Sequence, residues 1–178
     1  MKVLLISTYE LGRQPFGLAS PAAWLREHDH EVGCVDLAVN PLPSLPVREA
    51  DLVAFYVPMH TATRLTAKVI ERVRRLNASA HLCAYGLYAP INEEYLRGLG
   101  VQTILGGEFE PGLVSLAERL ARGGATQTEP LVALDRLLFI EPDRRTLPAL
   151  QRYAHLHVNG HKKTVGYTEA SRGCKHLC

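Results

Sequence analysis

Cys174 and Cys178 stand at C-x-x-x-C spacing in E-A-S-R-G-C-K-H-L-C, at the carboxyl end of the sequence. Thiolates so placed can share one soft metal centre, because sulfur ligands suit both iron–sulfur clusters and zinc. Zinc would need a set such as Cys174, His176 and Cys178 with His155, His157 or His161. Two surface thiols without any ligand are the plain alternative. Cys34 and Cys83 fall inside apolar runs, where cysteine serves as a small buried residue, and no function is assigned to them.

A second group of residues has binding rather than metal chemistry. It lies in four loops, Thr8–Gly17, Pro58–Thr61, Gly86–Pro90 and Gly106–Glu110. Their content is aromatic, small and proline-rich: T-Y-E-L-G-R-Q-P-F-G, V-P-M-H-T, Y-G-L-Y-A-P and L-G-G-E-F-E-P. Such a rim suits a large, flat, partly apolar ligand better than a compact phosphate. Neither G-x-G-x-x-G nor G-x-x-x-x-G-K-[ST] occurs, so a dinucleotide fingerprint and a P-loop are unsupported. The candidate contacts are Tyr9, Glu10, Phe16 and Gly17, then Pro58, Met59, His60 and Thr61. Gly86, Leu87 and Tyr88 follow, then Gly106, Gly107 and Glu108. The glycines would let a ligand approach the backbone. His60 reads equally well as a polar helix-start residue, and Glu108 and Glu110 as charges favouring a helix N-terminus.

These loops matter because of the elements that hold them. The runs Lys2–Ser7, Glu31–Leu37, Asp51–Val57, Ala80–Tyr85 and Val101–Leu105 read as five strands. Their near-continuous apolar character predicts burial on both faces. Helical patterns lie between them. Leu18, Ala22 and Leu25 share one face, with Pro21 tolerable only near a helix start. Thr61–Leu76 carries a stripe of Leu65, Val69, Val73 and Leu76, and Arg72, Arg74 and Arg75 form a solvated face. N-E-E-Y-L-R-G-L is a short helix, and E-P-G-L-V-S-L-A-E-R-L-A closes the unit with Leu113, Leu116, Ala117 and Leu120 inward. N-P-L-P-S-L-P reads as a proline-stiffened loop.

The expected fold is therefore α/β, a five-stranded, mostly parallel Rossmann-like sheet with helices on both faces. Such sheets bind ligands beyond the carboxyl ends of their strands, where the four loops lie. Residues 1–122 form this domain. Residues 123–163 read as linker and intervening segment, entered through R-G-G-A-T-Q-T-E-P (Arg122–Pro130), and Thr164–Ala170 as a final strand leading to the cysteines.

Bulk properties bound the function. With 178 residues, 47% of them apolar, and mean hydropathy near zero, the chain is globular in composition. A net charge of +2 gives no reason to expect a nucleic-acid or membrane partner. K-V-L-L-I-S is too short for a signal peptide, so a cytoplasmic protein with free or metal-binding cysteines is expected.

Several segments together resemble one family. F-G-L-A-S-P-A-A-W-L-R-E-H-D-H-E-V-G-C-V-D-L resembles the opening of cobalamin (B12)-binding domains fused to radical S-adenosylmethionine (radical SAM) enzymes. A-D-L-V-A-F-Y-V-P-M-H-T resembles their third strand and loop, and I-L-G-G-E-F-E-P-G-L their G-E-x-E segment. S-R-G-C-K-H-L-C resembles the start of their C-x-x-x-C-x-x-C motif. S-T-Y-E-L-G, V-P-M-H-T-A and Y-G-L-Y-A-P are similar to the CUAEP/CCAEP-tag radical SAM subgroup. Two departures stand out. The loop after the first strand lacks the D-x-H-x-x-G histidine, His28 and His30 falling a helix later, and Y-G-L-Y replaces the usual G-G-x-x.

The resemblance implies cobalamin at the strand-end loops and, in a longer parent enzyme, a [4Fe–4S] cluster with S-adenosylmethionine. Cys174 and Cys178 would be cluster ligands, with a third cysteine three positions beyond the chain. Residues 164–178 would then begin a truncated radical SAM barrel, and this piece alone would be inactive. Radical modification or methylation, of a small peptide if the tag resemblance holds, is the implied outcome. A non-catalytic cobalamin-binding module remains open, as does an α/β domain with a zinc-binding tail.

Overall fold

The computed structural model describes residues 1–124, 126–138, 140–170 and 172. The elements are β1 (Lys2–Ser7), α1 (Phe16–Glu27), β2 (Glu31–Asp36), α2 (Ser44–Glu49), β3 (Leu52–Tyr56) and α3 (His60–Leu76). There follow β4 (His81–Tyr85), α4 (Tyr88–Ile91), α5 (Glu93–Gly98), β5 (Thr103–Gly107), α6 (Phe109–Ala121), β6 (Val132–Ala133), β7 (His155–Val158) and β8 (His161–Thr164).

Six strands pair in the order β2-β1-β3-β4-β5-β6, every pairing parallel. Successive strand residues face opposite sides. Val3, Leu5, Ala54, Tyr56 and Tyr85 point to a core closed by α1 and α6. Leu4, Ile6, Val53, Phe55 and Ala84 point to one closed by α2, α3 and α5. The chain reverses its direction of winding between β1 and β3, and this switch point opens a crevice at the carboxyl edge.

The α/β reading holds, with corrections. The sheet gains a sixth strand, β6, from the segment read as linker. That segment is tied down: Arg119 pairs with Glu129 through Nε–Oε1 and Nη2–Oε2, each at 3.0 Å, and donates to the Gly124 carbonyl. Ser44–Glu49 is a helix rather than a stiff loop, because Pro46 falls in its first turn, where no N–H is needed. Of the stripe expected on α3, Val73 is buried and Val69 and Leu76 pack partly buried against the core, but Leu65 is exposed, and Ala62 and Thr66 are buried in the first turns instead. Small residues win there because the loop after β1 presses close: the Thr8 hydroxyl lies 3.2 Å from the Ala62 carbonyl oxygen.

Pro21 sits well inside α1, not near its start. Lacking an N–H, it leaves the Gly17 carbonyl, one turn earlier, without its helical donor. The Tyr85 hydroxyl donates to that carbonyl at 2.7 Å. The expected strand Thr164–Ala170 is also absent. Thr164 instead ends β8, which forms an antiparallel hairpin with β7 around Asn159-Gly160. Among the described residues no helix is long and apolar enough to cross a membrane.

Candidate functional site

The carboxyl ends of β1, β3, β4 and β5 surround a cavity of about 520 Å³. One wall is apolar, formed by Pro58, Met59, Leu87 and Pro90, and the other is polar, with Glu10, Arg13, Glu169 and Arg172. The floor is aromatic. Ring centroids of Tyr56, Tyr85 and Phe109 lie 4.9–6.0 Å apart in tilted pairs. Gly17 is required beneath them, since any Cβ there would overlap the Tyr56 ring.

Arg172 anchors the polar wall. Its Nη1 donates to Glu108 Oε2 at 2.9 Å and Glu110 Oε2 at 2.6 Å, its Nη2 to Glu110 Oε1 at 2.5 Å, and its Nε to Glu169 Oε2 at 3.1 Å. The guanidinium lies 4.0 Å over the Phe109 ring, a cation–π contact. Glu110 is fully buried and also accepts from the Ser20 hydroxyl at 2.6 Å. Burial pushes the Arg172 guanidinium down, but the Glu110 and Glu169 carboxylates outweigh it and hold the value above the ordinary arginine range.

The neighbouring segment is fixed as well. Arg144 donates to the Tyr167 carbonyl at 2.7 Å, and Arg13 lies 4.8 Å over the Tyr167 ring. The Tyr56 and Tyr167 hydroxyls both donate to Glu169 Oε1, at 3.3 and 3.4 Å. Glu10 differs from the other acids. It is only 5% exposed, and its Oε2 has no hydrogen-bond partner. Burial first, then the Glu169 charge, pushes its carboxyl up to about 7.

Of the residues expected from sequence, Glu10, Pro58, Met59, Leu87, Gly107 and Glu108 line this cavity. Phe16, Gly17, Gly86 and Gly106 are buried beneath or beside it, while Tyr9, His60, Thr61 and Tyr88 do not line it. The glycines make room for the protein's own chain: Gly106 faces Pro90, Gly107 the Ala133 carbonyl of β6, and Gly86 Tyr56 and Val57. Glu110 is an ion-pair partner, not merely a helix-start charge. Sequence reading missed Arg172, Glu169, Tyr167, Tyr56 and Phe109. The available signal was the complementary charge of G-E-F-E and T-E-A-S-R.

Cys174 and Cys178 lie outside the described residues. Among the described residues no group of three or more His, Cys, Asp and Glu side chains is placed to hold a metal ion. His155, His157 and His161 ride on the β7–β8 hairpin.

Cobalamin can be tested against this geometry. A corrinoid is far larger than the drug-sized ligands that cavities of roughly 300–1,000 Å³ bury. Tyr56, Tyr85 and Phe109 fill the space below, so a nucleotide tail has no inward slot. The rim is more hospitable. Leu11, Leu87, Ile91 and Leu134 are 51, 56, 72 and 85% exposed and form an apolar shelf. Their exposed apolar side chains suit the flat face of a macrocycle. A comparison of the chain with protein-family models and with curated proteins finds no match.

Proposed function

We propose that this chain is the front part of a radical SAM enzyme of the cobalamin-domain kind. It would bind a flat cofactor on the strand-end shelf, and Cys174 and Cys178 would belong to its cluster motif. The observation that supports this best is the Arg172 cage. Two distant segments, I-L-G-G-E-F-E-P-G-L and E-A-S-R-G-C, resemble parts of one such enzyme. In the fold they meet, Arg172 of the second reaching Glu108 and Glu110 of the first.

Each part of the chain then has a task. Arg172 is a positioning residue: it pins its own segment to the carboxyl edge of the sheet through Glu108 and Glu110. Removing one partner of a buried pair costs about 3–5 kcal/mol, which makes this anchor firm. Leu11, Leu87, Ile91 and Leu134 would hold the flat face of the cofactor, and the aromatic floor keeps water from beneath it. When bound, the cluster supplies the electron for reductive cleavage of S-adenosylmethionine, and cobalamin a methyl carrier. If the tag resemblance holds, the substrate of the whole enzyme would be a small peptide.

The test uses the gene extended past Cys178. A cysteine three positions on is expected, with brown absorbance after anaerobic iron–sulfide reconstitution that disappears in Cys174→Ala. Colour surviving that substitution overturns the ligand assignment. Hydroxocobalamin should bind one to one with a shifted corrin spectrum, more weakly in Ile91→Glu. An unchanged spectrum overturns the cofactor assignment.

A further inference from the structure

The strand-end site holds an imbalance of charge that the corrinoid reading leaves unused. Four carboxylates (Glu10, Glu108, Glu110 and Glu169) share the site with two guanidiniums, Arg13 and Arg172. Arg172 is spent on Glu108, Glu110 and Glu169. Arg13 lies over the Tyr167 ring. Glu10 lines the cavity, is nearly fully buried and has an oxygen with no donor. Buried polar atoms are normally partnered, and each exception needs a cause.

We infer that the cavity takes a small primary ammonium carried on an apolar or aryl body, the ammonium donating to Glu10 and the body lying against Pro58, Met59 and Leu87. Three features select this class. An anion would meet the carboxylate excess. An inorganic cation would need a group of ligands that does not stand together among the described residues. An ammonium brings three donors to a wall holding Glu10, Glu169 and the Tyr56 hydroxyl, and its body matches the apolar wall. The inference rests on the strand ends forming a ligand site, as proposed above, but not on which cofactor the shelf takes.

The charged and titratable groups acting on Glu10 give the binding a pH dependence. Glu169 and Asp36 oppose its ionisation, and Arg13 favours it. The Tyr56 and Tyr167 phenols are held up by burial and then by the Glu169 charge, and Arg172 shares Glu169 with them. The ammonium partner is the carboxylate form, so affinity rises with pH.

The probe is 2-phenylethylammonium, titrated into the full chain and followed by amide NMR shifts, with phenylacetate as control. Saturable binding is expected, roughly tenfold tighter near pH 8 than near pH 6. Glu10→Gln should lose most of the affinity and its pH dependence. Phenylacetate binding as well as the amine, or E10Q binding it unchanged at both pH values, overturns the inference. Should E10Q not fold, the wild-type Glu10 carboxyl carbon is titrated with and without saturating amine. Its midpoint should fall by about one unit or more, and an unmoved midpoint overturns the inference. Hydroxocobalamin is scored separately by its corrin spectrum. Amine binding without corrinoid binding upholds this inference and fails the cofactor reading; the reverse fails this inference alone.

Discussion

At the scale of single residues, Glu10 carries the clearest consequence for stability. Its carboxyl is raised to about 7 by burial, so the folded chain keeps a proton that the unfolded chain releases in the ordinary carboxylate range. The folded state therefore binds more protons in that window, and stability falls as pH rises through it, by at most about 3 kcal/mol. His30 and His81, both held down by burial, act in the opposite direction as pH falls. Comparison with Glu10→Gln cancels them. Between about pH 5 and pH 8, urea unfolding should show wild type losing about 2 kcal/mol relative to E10Q. Parallel pH profiles would show that Glu10 finds a donor in solution.

At the scale of elements, the β5–α6–β6 unit shows how a segment of linker composition becomes structure. R-G-G-A-T-Q-T-E-P has no period and two adjacent glycines, so it reads as a connector. Arg119 and Glu129 are nonetheless buried against each other, and they hold the path that brings β6 beside Gly106 and Gly107. Burial pushes the Glu129 carboxyl up, but the Arg119 bonds outweigh this and leave it below the ordinary range. Glu129→Ala strands a buried guanidinium and should cost about 3 kcal/mol at neutral pH. Hydrogen exchange should show β6 opening with it. The contribution is present above the carboxylate range and is lost as pH falls through the lowered value, so variant and wild type should converge in acid. A constant difference down to low pH would show that charge is not the cause. The β7–β8 hairpin left a signal that the linker reading passed over: Asn159-Gly160, with φ of 48° and 77°, is the dipeptide that a two-residue turn of this hand selects.

At the scale of the whole molecule, the segment beyond residue 122 is not a passive extension of the sheet unit. Leu147 packs in the core between the sheet and α1, Tyr153 is buried, and Asp143 pairs with Arg26 of α1 at 2.6 Å. Gln14 in the loop before α1 both donates to the Pro148 carbonyl and accepts from Arg144. A chain ended at Arg122 should keep β1 to β5 but loses β6, and with this burial and the Arg119 pair gone it should lose roughly 4 kcal/mol or more. A lower urea midpoint and new binding of an apolar dye would be the readout. Unchanged stability would mean that residues 1–122 form an independent domain, as the sequence division expects.

What the sequence determined by itself was set by short-range pattern. Apolar runs gave the first five strands within a residue or two, because the middle of a doubly covered strand is apolar on both faces. Those strands in turn placed the ligand loops at one edge, where Glu10, Pro58, Met59, Leu87, Gly107 and Glu108 line one cavity. What only the tertiary structure decided were pairings across long separations. Arg172 meets Glu108 and Glu110 some sixty residues away, Tyr85 supplies the donor that Pro21 withholds from Gly17, and Tyr56 fills the space beside that glycine. Periodicity placed Val69, Val73 and Leu76 of α3 against the core, but at the start of the helix Ala62 and Thr66 turn inward beside Thr8 while Leu65 stays exposed. Periodicity reports which way a residue faces within its own element. It carries no record of which charge or hydroxyl will arrive from another element, and in this protein those arrivals build the polar wall and the floor of the site.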